Sequence, residues 1–277
     1  MGVLEGKVVL ITGAANGIGK ETALLASKEG AKLVINDLGG SVSGGDEGDK
    51  NPIELVAEEI KKNGGECFFY SLDARKEDDV IGLINKIENE IGEILVAVYN
   101  IGANIRYGIL ETTSRKYYKV WEMAAFGAFL MGREVAKKMV PRKKGTIIFT
   151  GASASVRGKE GFAAFSGAKH AKRALSQSMA RELGPKGIHV AHIVIDGAID
   201  TPWVNELFPD YVKEKKKIDG LMNPDDIAQN YLMIHNQPKN AWTYEIDLRP
   251  WVETVSYTHL RAHETPEHRV CRSLREK

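Results

Sequence analysis

Short apolar runs alternate with longer segments of helical periodicity along most of this chain. The apolar runs predict six β-strands and a plausible seventh, at Lys7–Thr12, Lys32–Asn36, Glu66–Leu72, Leu95–Tyr99, Thr146–Thr150, His189–Ile195 and Trp242–Asp247. The segments between them predict helices over residues 17–29, 52–63, 76–91, 114–140, 161–184 and 224–235. The runs are apolar at consecutive positions, so both faces of the sheet should be covered, as is typical of parallel strands.

The regular alternation of strand and helix predicts the fold class. It favours an α/β, doubly wound architecture with one mostly parallel sheet of about seven strands and helices on both faces. We expect one domain over residues 1–254, because no repeat or linker divides the chain. Residues 39–51 are rich in Gly, Ser and Asp and predict a mobile loop. Residues 255–277 lose all periodicity, and they resemble either translated sequencing-adapter read-through or a disordered native tail.

Composition narrows the classes of function. The 277 residues are 43% hydrophobic and 27% charged, and 38 basic residues face 37 acidic ones. This balance favours a globular protein in water and argues against nucleic acid or an anionic membrane surface as the partner. Two cysteines give no disulfide framework, and no apolar stretch approaches the ~18 residues of a membrane span. We therefore expect a cytoplasmic protein. The histidines near the C-terminus match no zinc spacing, so no metal site is predicted.

A glycine-rich turn follows the first predicted strand and opens directly into a helix. It reads TGAANGIG, from Thr12 to Gly19. Gly13 permits the tight turn, Gly17 lets the backbone approach a pyrophosphate, and Gly19 lets helix and strand pack closely. The free N–H groups at the helix start favour phosphate, so Asn16 and Ile18 join the predicted binding turn. This strand–turn–helix context is typical of the dinucleotide-binding Rossmann fold.

Asp37 ends the second predicted strand, eighteen residues after Gly19. A carboxylate at this place can accept hydrogen bonds from both adenosine ribose hydroxyls, and it would repel a 2′-phosphate. No Arg or Lys stands beside it to receive that phosphate. The sequence therefore predicts NAD as the cofactor, with NADP less favoured. The alternative is that Asp37 only starts the following loop.

These motifs resemble the classical short-chain dehydrogenase/reductase family over residues 3–253. The resemblance implies that Asp73 and Ala74 reach the adenine and that the segment from Tyr99 to Gly102 corresponds to the NNAG strand end, with Tyr in place of the first Asn. It places Asn100, Gly102 and Thr201 at the cofactor, Thr201 on the nicotinamide carboxamide. The stretch around Val34–Gly45 is similar to the hydroxyacyl-CoA dehydrogenase branch, and an acyl-CoA-handling protein is a third hypothesis that rests on this similarity alone.

The residues at the resembled active site depart from the family pattern. The family uses a Tyr and a Lys four residues later, a Ser that binds the substrate oxygen, and an Asn on the preceding helix. Here Lys169 is in place and would reach the nicotinamide ribose, but Phe165, Ala152 and Ala124 replace the Tyr, Ser and Asn. A positioned general acid contributes about 10²–10⁴-fold in rate. Without the Tyr, Ser and Asn side chains, the usual route of proton transfer is missing, whereas the residues expected to bind the cofactor are retained.

Four residues are candidates for the missing polar chemistry. Ser153 follows Ala152 and could face the substrate after a one-residue shift of its loop, or it could be an ordinary loop hydroxyl. Lys169 could act directly, and Asp196 or Asp200 could serve if its side chain faces the nicotinamide. Ser166 lies about 100° around the helix from Phe165, which predicts that it points elsewhere. The segment between Ile199 and Met222 resembles the family's substrate lid.

Two hypotheses about function remain open. The first is an NAD-dependent oxidoreductase that acts on a small alcohol or carbonyl with a non-standard proton donor. The second is a catalytically impaired NAD(H)-binding protein that acts as a sensor or scaffold. The resemblance also implies a homodimer or homotetramer, since the helices that carry Ala124 and Phe165 are rich in small residues that allow close helix packing. The alternative is that these residues only pack within the chain.

Overall fold

The computed structural model describes residues 2–38 and 51–253. Seven strands form a single sheet in the order β3-β2-β1-β4-β5-β6-β7, and each neighbouring pair is parallel. The strands are β1 (Val8–Thr12), β2 (Lys32–Asp37), β3 (Glu66–Ser71), β4 (Ile94–Tyr99), β5 (Gly145–Thr150), β6 (Ile188–Ile195) and β7 (Glu245–Leu248). The strand order reverses between β1 and β4, which opens a crevice at their carboxyl ends.

Nine α-helices accompany the strands in the described part of the chain. They are α1 (Gly17–Lys28), α2 (Pro52–Lys62), α3 (Glu77–Lys86), α4 (Ser114–Trp121), α5 (Gly127–Arg142), α6 (Ala163–Leu183), α7 (Pro202–Leu207), α8 (Pro209–Lys216) and α9 (Pro224–His235). A π turn over Glu122–Phe126 joins α4 to α5, and another over Ile87–Ile91 follows α3. None of these helices is long and apolar enough to cross a membrane.

The sheet is buried on both faces by two apolar layers. On one face, Ile11 and Ile35 pack against residues of α1, α2 and α9. On the other, Leu10 and Phe149 pack against residues of α3, α5 and α6. The strands β1, β5 and β6 are buried at each position, which explains why their sequences are apolar without alternation. Burial of both faces fixes the sheet as a rigid platform for the loops at its edge.

The structure confirms the predicted fold class and sharpens it. All seven apolar runs form strands, and no strand end differs from the prediction by more than three residues. The sheet is wholly parallel, where the sequence predicted a mostly parallel one. The sequence did not predict α7 and α8, which form two short helices within the segment that resembles a lid. The predicted loop over residues 39–50, most of the hydroxyacyl-CoA-like stretch and the tail from residue 255 lie outside the described residues.

Tyr99 supports the π turn between α4 and α5. Its ring is fully buried, and its hydroxyl donates a 2.6 Å hydrogen bond to the carbonyl oxygen of Met123. A π turn interrupts the regular α-helical hydrogen bonds, so its carbonyl groups need other donors. Gly127 leaves room for the tyrosine, because a Cβ added there would collide with the Tyr99 hydroxyl oxygen. Tyr99 therefore supports the π turn that carries Ala124.

This contact predicts coupled stability effects. Tyr99→Phe should lower the free energy of unfolding by about 1–3 kcal/mol, because the Met123 carbonyl loses its buried donor. Gly127→Ala should cost about 1–3 kcal/mol through overpacking. The double variant should cost less than the sum of the two, since Phe lacks the oxygen that the new Cβ meets. Chemical denaturation of all four proteins measures the coupling, and strict additivity would show that the contact contributes nothing.

Candidate active site

The glycine-rich turn between β1 and α1 has the geometry that its glycines require. Gly13 has φ +87° and Gly17 has φ +50°, values that other residues adopt only with strain. A Cβ added at Gly19 would overlap the carbonyl oxygen of Gly13, so no larger residue allows this close approach. The Asn100 side chain donates to the same carbonyl over 3.1 Å. Asn100 therefore ties the end of β4 to the turn.

The N-terminus of α1 is suited to a phosphate group. Asn16 occupies the N-cap position, is exposed and makes no side-chain capping hydrogen bond to the first turn. No acidic residue lies in that turn either. Helix N–H groups that no side chain caps, together with the helix dipole, attract an anion. A cradle built on glycine, with open N–H groups at its rim, fits the pyrophosphate of a dinucleotide.

The two acidic residues predicted to hold the adenosine are differently placed. One Asp37 carboxylate oxygen accepts a 3.3 Å hydrogen bond from the backbone N–H of Ala15, which holds this side chain beside the glycine turn. Asp73 instead pairs with Arg75 through contacts of 2.6 and 2.8 Å. Hydrogen bonds from the Arg75 side chain hold the pKa of Asp73 below its usual range. Ala74 is buried. Asp37 thus lies with the turn, whereas the Asp73 carboxylate is engaged by its neighbour.

A cavity of about 830 Å³ runs from this turn along the carboxyl ends of the strands. Such a volume accommodates a small-molecule ligand. Eleven candidate residues of the sequence analysis line it: Asn16, Gly17, Ile18, Asn100, Gly102, Ala152, Ser153, Phe165, Ser166, Lys169 and Thr201. Its lining residues do not include Gly13, Gly19, Asp37, Asp73, Ala74 and Ala124. The structure therefore brings part of the glycine turn into one space with Ala152, Ser153, Phe165 and Lys169.

Two lysines of α6 are buried beneath this cavity. Lys169 donates to the carbonyl oxygens of Thr150 and Gly151 over 3.1 and 3.4 Å. Lys172, one helical turn on, donates to Ile101 and Thr150 over 2.8 and 3.2 Å. The Thr150 carbonyl thus accepts from both amines. The aliphatic stem of each lysine crosses the core, and the paired acceptors hold both amines at the end of β5.

The burial of the two amines alters their protonation. Burial lowers the pKa of Lys169 to about 8, although the hydrogen bond with Lys172 acts in the opposite direction. Burial also lowers the pKa of Lys172 well below its usual value, and the nearby charge of Lys169 lowers it further. Two ammonium groups this close in a low dielectric repel strongly. Lys172 is therefore the amine whose pKa is lowered more strongly, and the hydrogen bond between the two amines favours the proton on Lys169.

The remaining active-site positions divide into polar and apolar groups. Ser153 begins a short 3₁₀ turn after β5 and lines the cavity. Ala124 is fully buried and packs with Ala164 and Ala168 of α6. The Phe165 ring lies with its centroid 5.6 Å from the Lys169 nitrogen. The side chains of Ala124 and Phe165 are apolar and cannot donate a proton.

Ser166 is one of the residues that line the cavity. Its hydroxyl oxygen is buried and has no hydrogen-bond partner among the described residues. The hydroxyl itself therefore does not face the open space of the cavity, and the expectation that it points elsewhere stays a prediction.

The lid segment closes the far side of the cavity. Thr201 caps α7 by accepting from the Val204 backbone N–H over 3.4 Å. Trp203, Phe208 and Tyr211 line the cavity from α7 and α8 and the bend between them. Tyr211 supplies the one phenol among the described lining residues. The described residues contain no group of three or more His, Cys, Asp and Glu side chains arranged for a metal ion.

Sequence reasoning missed four cationic residues of this site. Lys172 lies three residues after Lys169, on the same helix face, and this spacing was the available signal. Arg106, Arg157 and Lys159 line the cavity from the loops after β4 and β5. Their positions in loops give no periodic signal. Only the folded chain brings these cations into one cavity.

The chain belongs to the short-chain dehydrogenase family, whose model, described as short chain dehydrogenase, matches residues 7–212. It is 31% identical over 227 residues to short chain aldehyde dehydrogenase 1 of Euphorbia lathyris, covering 79% of this chain and 74% of that protein. It is 28% identical to a 3-oxoacyl-[acyl-carrier-protein] reductase of Synechocystis, covering 89% and 98%.

Solved structures agree with this assignment. A short-chain dehydrogenase from Rhodopseudomonas palustris is 38% identical, with a TM-score of 0.73 over 89% of this chain and 100% of that one. A 7α-hydroxysteroid dehydrogenase solved with NADH and 7-oxo glycochenodeoxycholic acid is 25% identical, with a TM-score of 0.77 over 89% and 94%. The sheet, the glycine turn and the cavity are therefore those of a family of oxidoreductases that bind NAD(P).

The buried amine of Lys172 predicts a pH-dependent stability effect. Lys172→Met removes a poorly solvated amine, which is favourable, but it also takes the donor from the Ile101 carbonyl, which costs about 1 kcal/mol or more. The folded-state pKa of Lys172 is depressed, so the unfolded chain binds more protons below about pH 10.4, and the stability of the wild type rises with pH toward that value. The free energy of unfolding of the variant relative to the wild type should therefore fall from pH 7 to pH 10.

Urea denaturation of the wild type and the variant at both pH values measures this difference. Lys62→Met is the matched control, because Lys62 is exposed at the end of α2. A difference between Lys172→Met and the wild type that is equal at pH 7 and pH 10 would show that Lys172 keeps its ordinary protonation in the fold.

Proposed function

We propose that this protein is an NAD-dependent oxidoreductase that interconverts a small alcohol and its carbonyl compound. The observation that carries the proposal is one cavity that joins Asn16, Gly17 and Ile18 of the phosphate-binding turn to Lys169 and Ser153. A bound nicotinamide would supply or take up the hydride there. The chain would hold the cofactor through the turn, Asp37, Asn100, Gly102, Lys169 and Thr201. Residues of the protein itself must transfer the proton to or from the substrate oxygen.

Lys169 is the best candidate for the proton donor. Its pKa of about 8 gives it a protonated fraction near neutral pH and a readily lost proton, which is what general acid catalysis requires. An ordinary lysine holds its proton too tightly for this. Lys172 supports the role, since its hydrogen bond with Lys169 favours the protonated form of Lys169. In the reducing direction, Lys169 would change from ammonium to amine as the substrate oxygen gains the proton.

Ser153 would orient the substrate oxygen. Ser153 directly follows Ala152, which occupies the family's serine position. Ser153 lines the same cavity as Lys169. Ser155, the other hydroxyl of this turn, accepts from the Ala152 backbone N–H over 3.1 Å and is fully buried. That hydrogen bond holds the turn in place and engages Ser155. Of the two serines in the turn, Ser153 is the one that lines the cavity. A hydroxyl can donate to a carbonyl oxygen or accept from an alcohol.

The protonation of Lys169 predicts a pH profile. The kcat/KM for carbonyl reduction should be level below pH 8 and fall above it, because the reaction needs the ammonium form, which is lost as pH rises through about 8. Alcohol oxidation should show the opposite trend. Lys169→Met should lower kcat by about 10²-fold or more and remove this transition. Steady-state rates with NADH between pH 6 and pH 10 test it.

Two further variants make the test specific. Tyr211→Phe removes the one phenol among the described lining residues and should keep the pH transition, because that transition belongs to Lys169. If the pH transition is lost in Tyr211→Phe and kept in Lys169→Met, the proton donor is Tyr211 of the lid. Phe165→Tyr restores the family's phenol at the expected position and should raise the rate.

A second candidate function is a catalytically impaired NAD(H)-binding protein that senses redox state or acts as a scaffold. The apolar side chains at Ala124, Ala152 and Phe165 favour it, because three polar groups of the family pattern are missing. NADH fluorescence and a screen of aldehydes, ketones and secondary alcohols distinguish the two. Binding of NADH with turnover in Phe165→Tyr alone would support the scaffold. Turnover in the wild type that Lys169→Met abolishes supports the enzyme.

The preference for NAD rests on Asp37. Its carboxylate is held beside the turn by the Ala15 N–H, where an adenosine 2′-phosphate would meet a like charge. Asp37→Ala should raise the ratio of kcat/KM for NADP over NAD by about tenfold or more, equivalent to about 1.4 kcal/mol. Asp73→Ala is the matched control, since Arg75 already engages that carboxylate. An unchanged ratio in Asp37→Ala would remove Asp37 from cofactor selection.

We also propose a cytoplasmic homodimer or homotetramer that assembles through α4, α5 and α6. Part of the small-residue stripe on these helices is used within the chain, as the packing of Ala124 with Ala168 shows. The same helices still expose Tyr118, Phe129 and Ala174. Exposed aromatic side chains on a helical face are typical of subunit contacts.

A further inference from the structure

Three cationic residues line the cavity, and together they form its positive wall. Arg106 lies in the loop after β4, and Arg157 and Lys159 lie in the loop after β5. No Asp or Glu lines the cavity in the part of the chain that the structure describes. Glu160, in the same loop as Lys159, is exposed and is not among the lining residues. The whole chain carries a formal charge of only +1, so this positive field is local.

Arg106, Arg157 and Lys159 form no ion pair shorter than 3.9 Å with a carboxylate of the described residues. Neither Arg106 nor Lys159 forms an ion pair with a carboxylate of the described residues. Arg157 lies 3.9 Å from the buried Asp196, at the limit of an ion pair, and its Nε is buried without a hydrogen-bond partner. Structural arginines elsewhere make short pairs: Arg75, Arg142 and Arg173 lie 2.5 to 2.6 Å from carboxylates. The cavity cations therefore retain donors for a ligand.

The positive wall is next to the reaction end of the cavity. The guanidinium of Arg106 lies 5.9 Å from the centre of the Phe162 ring, and that ring is 6.4 Å from Phe165. The two loops are joined, since the Tyr107 backbone N–H donates to the Gly161 carbonyl over 2.8 Å. Phe165 occupies the position that faces the substrate in the family pattern. A ligand beside Phe165 would therefore lie within reach of these cations.

The opposite wall is apolar. Trp203 and Phe208 of the lid line the same cavity. A guanidinium binds a carboxylate with two parallel hydrogen bonds, and a shielded cleft strengthens that interaction. The combination of an aromatic lid and a cationic wall favours a ligand with an apolar body and an anionic end.

We propose that the substrate carries a carboxylate, held by Arg106, Arg157 and Lys159, in addition to the alcohol or carbonyl group that reacts. The inference rests on the proposed function only in taking this cavity as the substrate site. It excludes neutral alcohols and aldehydes as the preferred substrates. The carboxylate lies at the Arg106 wall, and the apolar body lies between Phe165 and the lid.

A matched pair of ligands tests the charge preference. We choose 4-acetylbenzoate and 4-acetylbenzamide, which have the same shape and the same ketone and differ in charge. Isothermal titration into the protein with and without saturating NADH should show at least about tenfold tighter binding of the carboxylate. The preference should weaken as salt is raised, because screening reduces interactions of partly exposed charges. Equal affinities, or binding of neither ligand, would overturn the inference.

Variants of the wall locate the effect. Arg106→Gln and Lys159→Gln change exposed residues and should each reduce the preference for the carboxylate several-fold, and together they should abolish most of it. Arg157→Gln leaves Asp196 buried without its nearest cation, so Arg157→Lys accompanies it and should retain part of the preference. Lys62→Gln, on α2 and away from the cavity, should change nothing. A preference that survives the Arg106 and Lys159 double variant would place the anion elsewhere.

The outcomes separate this inference from the proposed function. Turnover of both ketones with equal kcat/KM would support the oxidoreductase and overturn the carboxylate site. Tight carboxylate binding with no NADH binding and no turnover would support the anion site and overturn the oxidoreductase. Turnover of 4-acetylbenzoate with a kcat/KM at least about tenfold above that of the amide supports both.

Discussion

The parallel pairing of β1 with both β2 and β4 is the constraint on which the rest of this molecule depends. The chain adds strands in one direction from β1 to β3 and in the other from β4 to β7, so the loops leaving β1 and β4 diverge and open a crevice. The glycine turn occupies one side of the crevice, and Asn100 bonds it to the end of β4. The lysine amines, the altered catalytic positions and the cationic wall lie in loops or helix ends at this edge.

The site combines a glycine-rich turn suited to a dinucleotide with a pair of buried lysines. Lys169 lies beside the ring of Phe165, and Lys172 follows one helical turn beyond Lys169. The Thr150 carbonyl accepts from both Lys169 and Lys172, and two buried ammonium groups so close together would repel. Our proposal that Lys169 gives the proton follows from this arrangement, which exists only when both lysines are buried at the end of β5.

The sequence predicted the architecture well because burial leaves a direct trace in residue type. Strands covered on both faces, such as β5 and β6, are apolar at consecutive positions, and the glycines of the turn are the residues that its backbone angles require. The lid was harder to predict. Its helices α7 and α8 are short and begin at Pro202 and Pro209, and short helices have too few turns to show a periodic pattern.

By itself, then, the amino-acid sequence determined the parallel sheet and the glycine turn, since both depend on residues that are neighbours along the chain. The tertiary structure alone decided which charged groups meet. Lys172 becomes a partner of Lys169 only because Thr150, on another element, accepts from both amines. Arg106 and Lys159 are some fifty residues apart in the chain and meet at one cavity only because β4 and β5 are adjacent in the sheet. Electrostatic interaction acts through space, so the charge of a site follows from the fold and has no local signature along the chain.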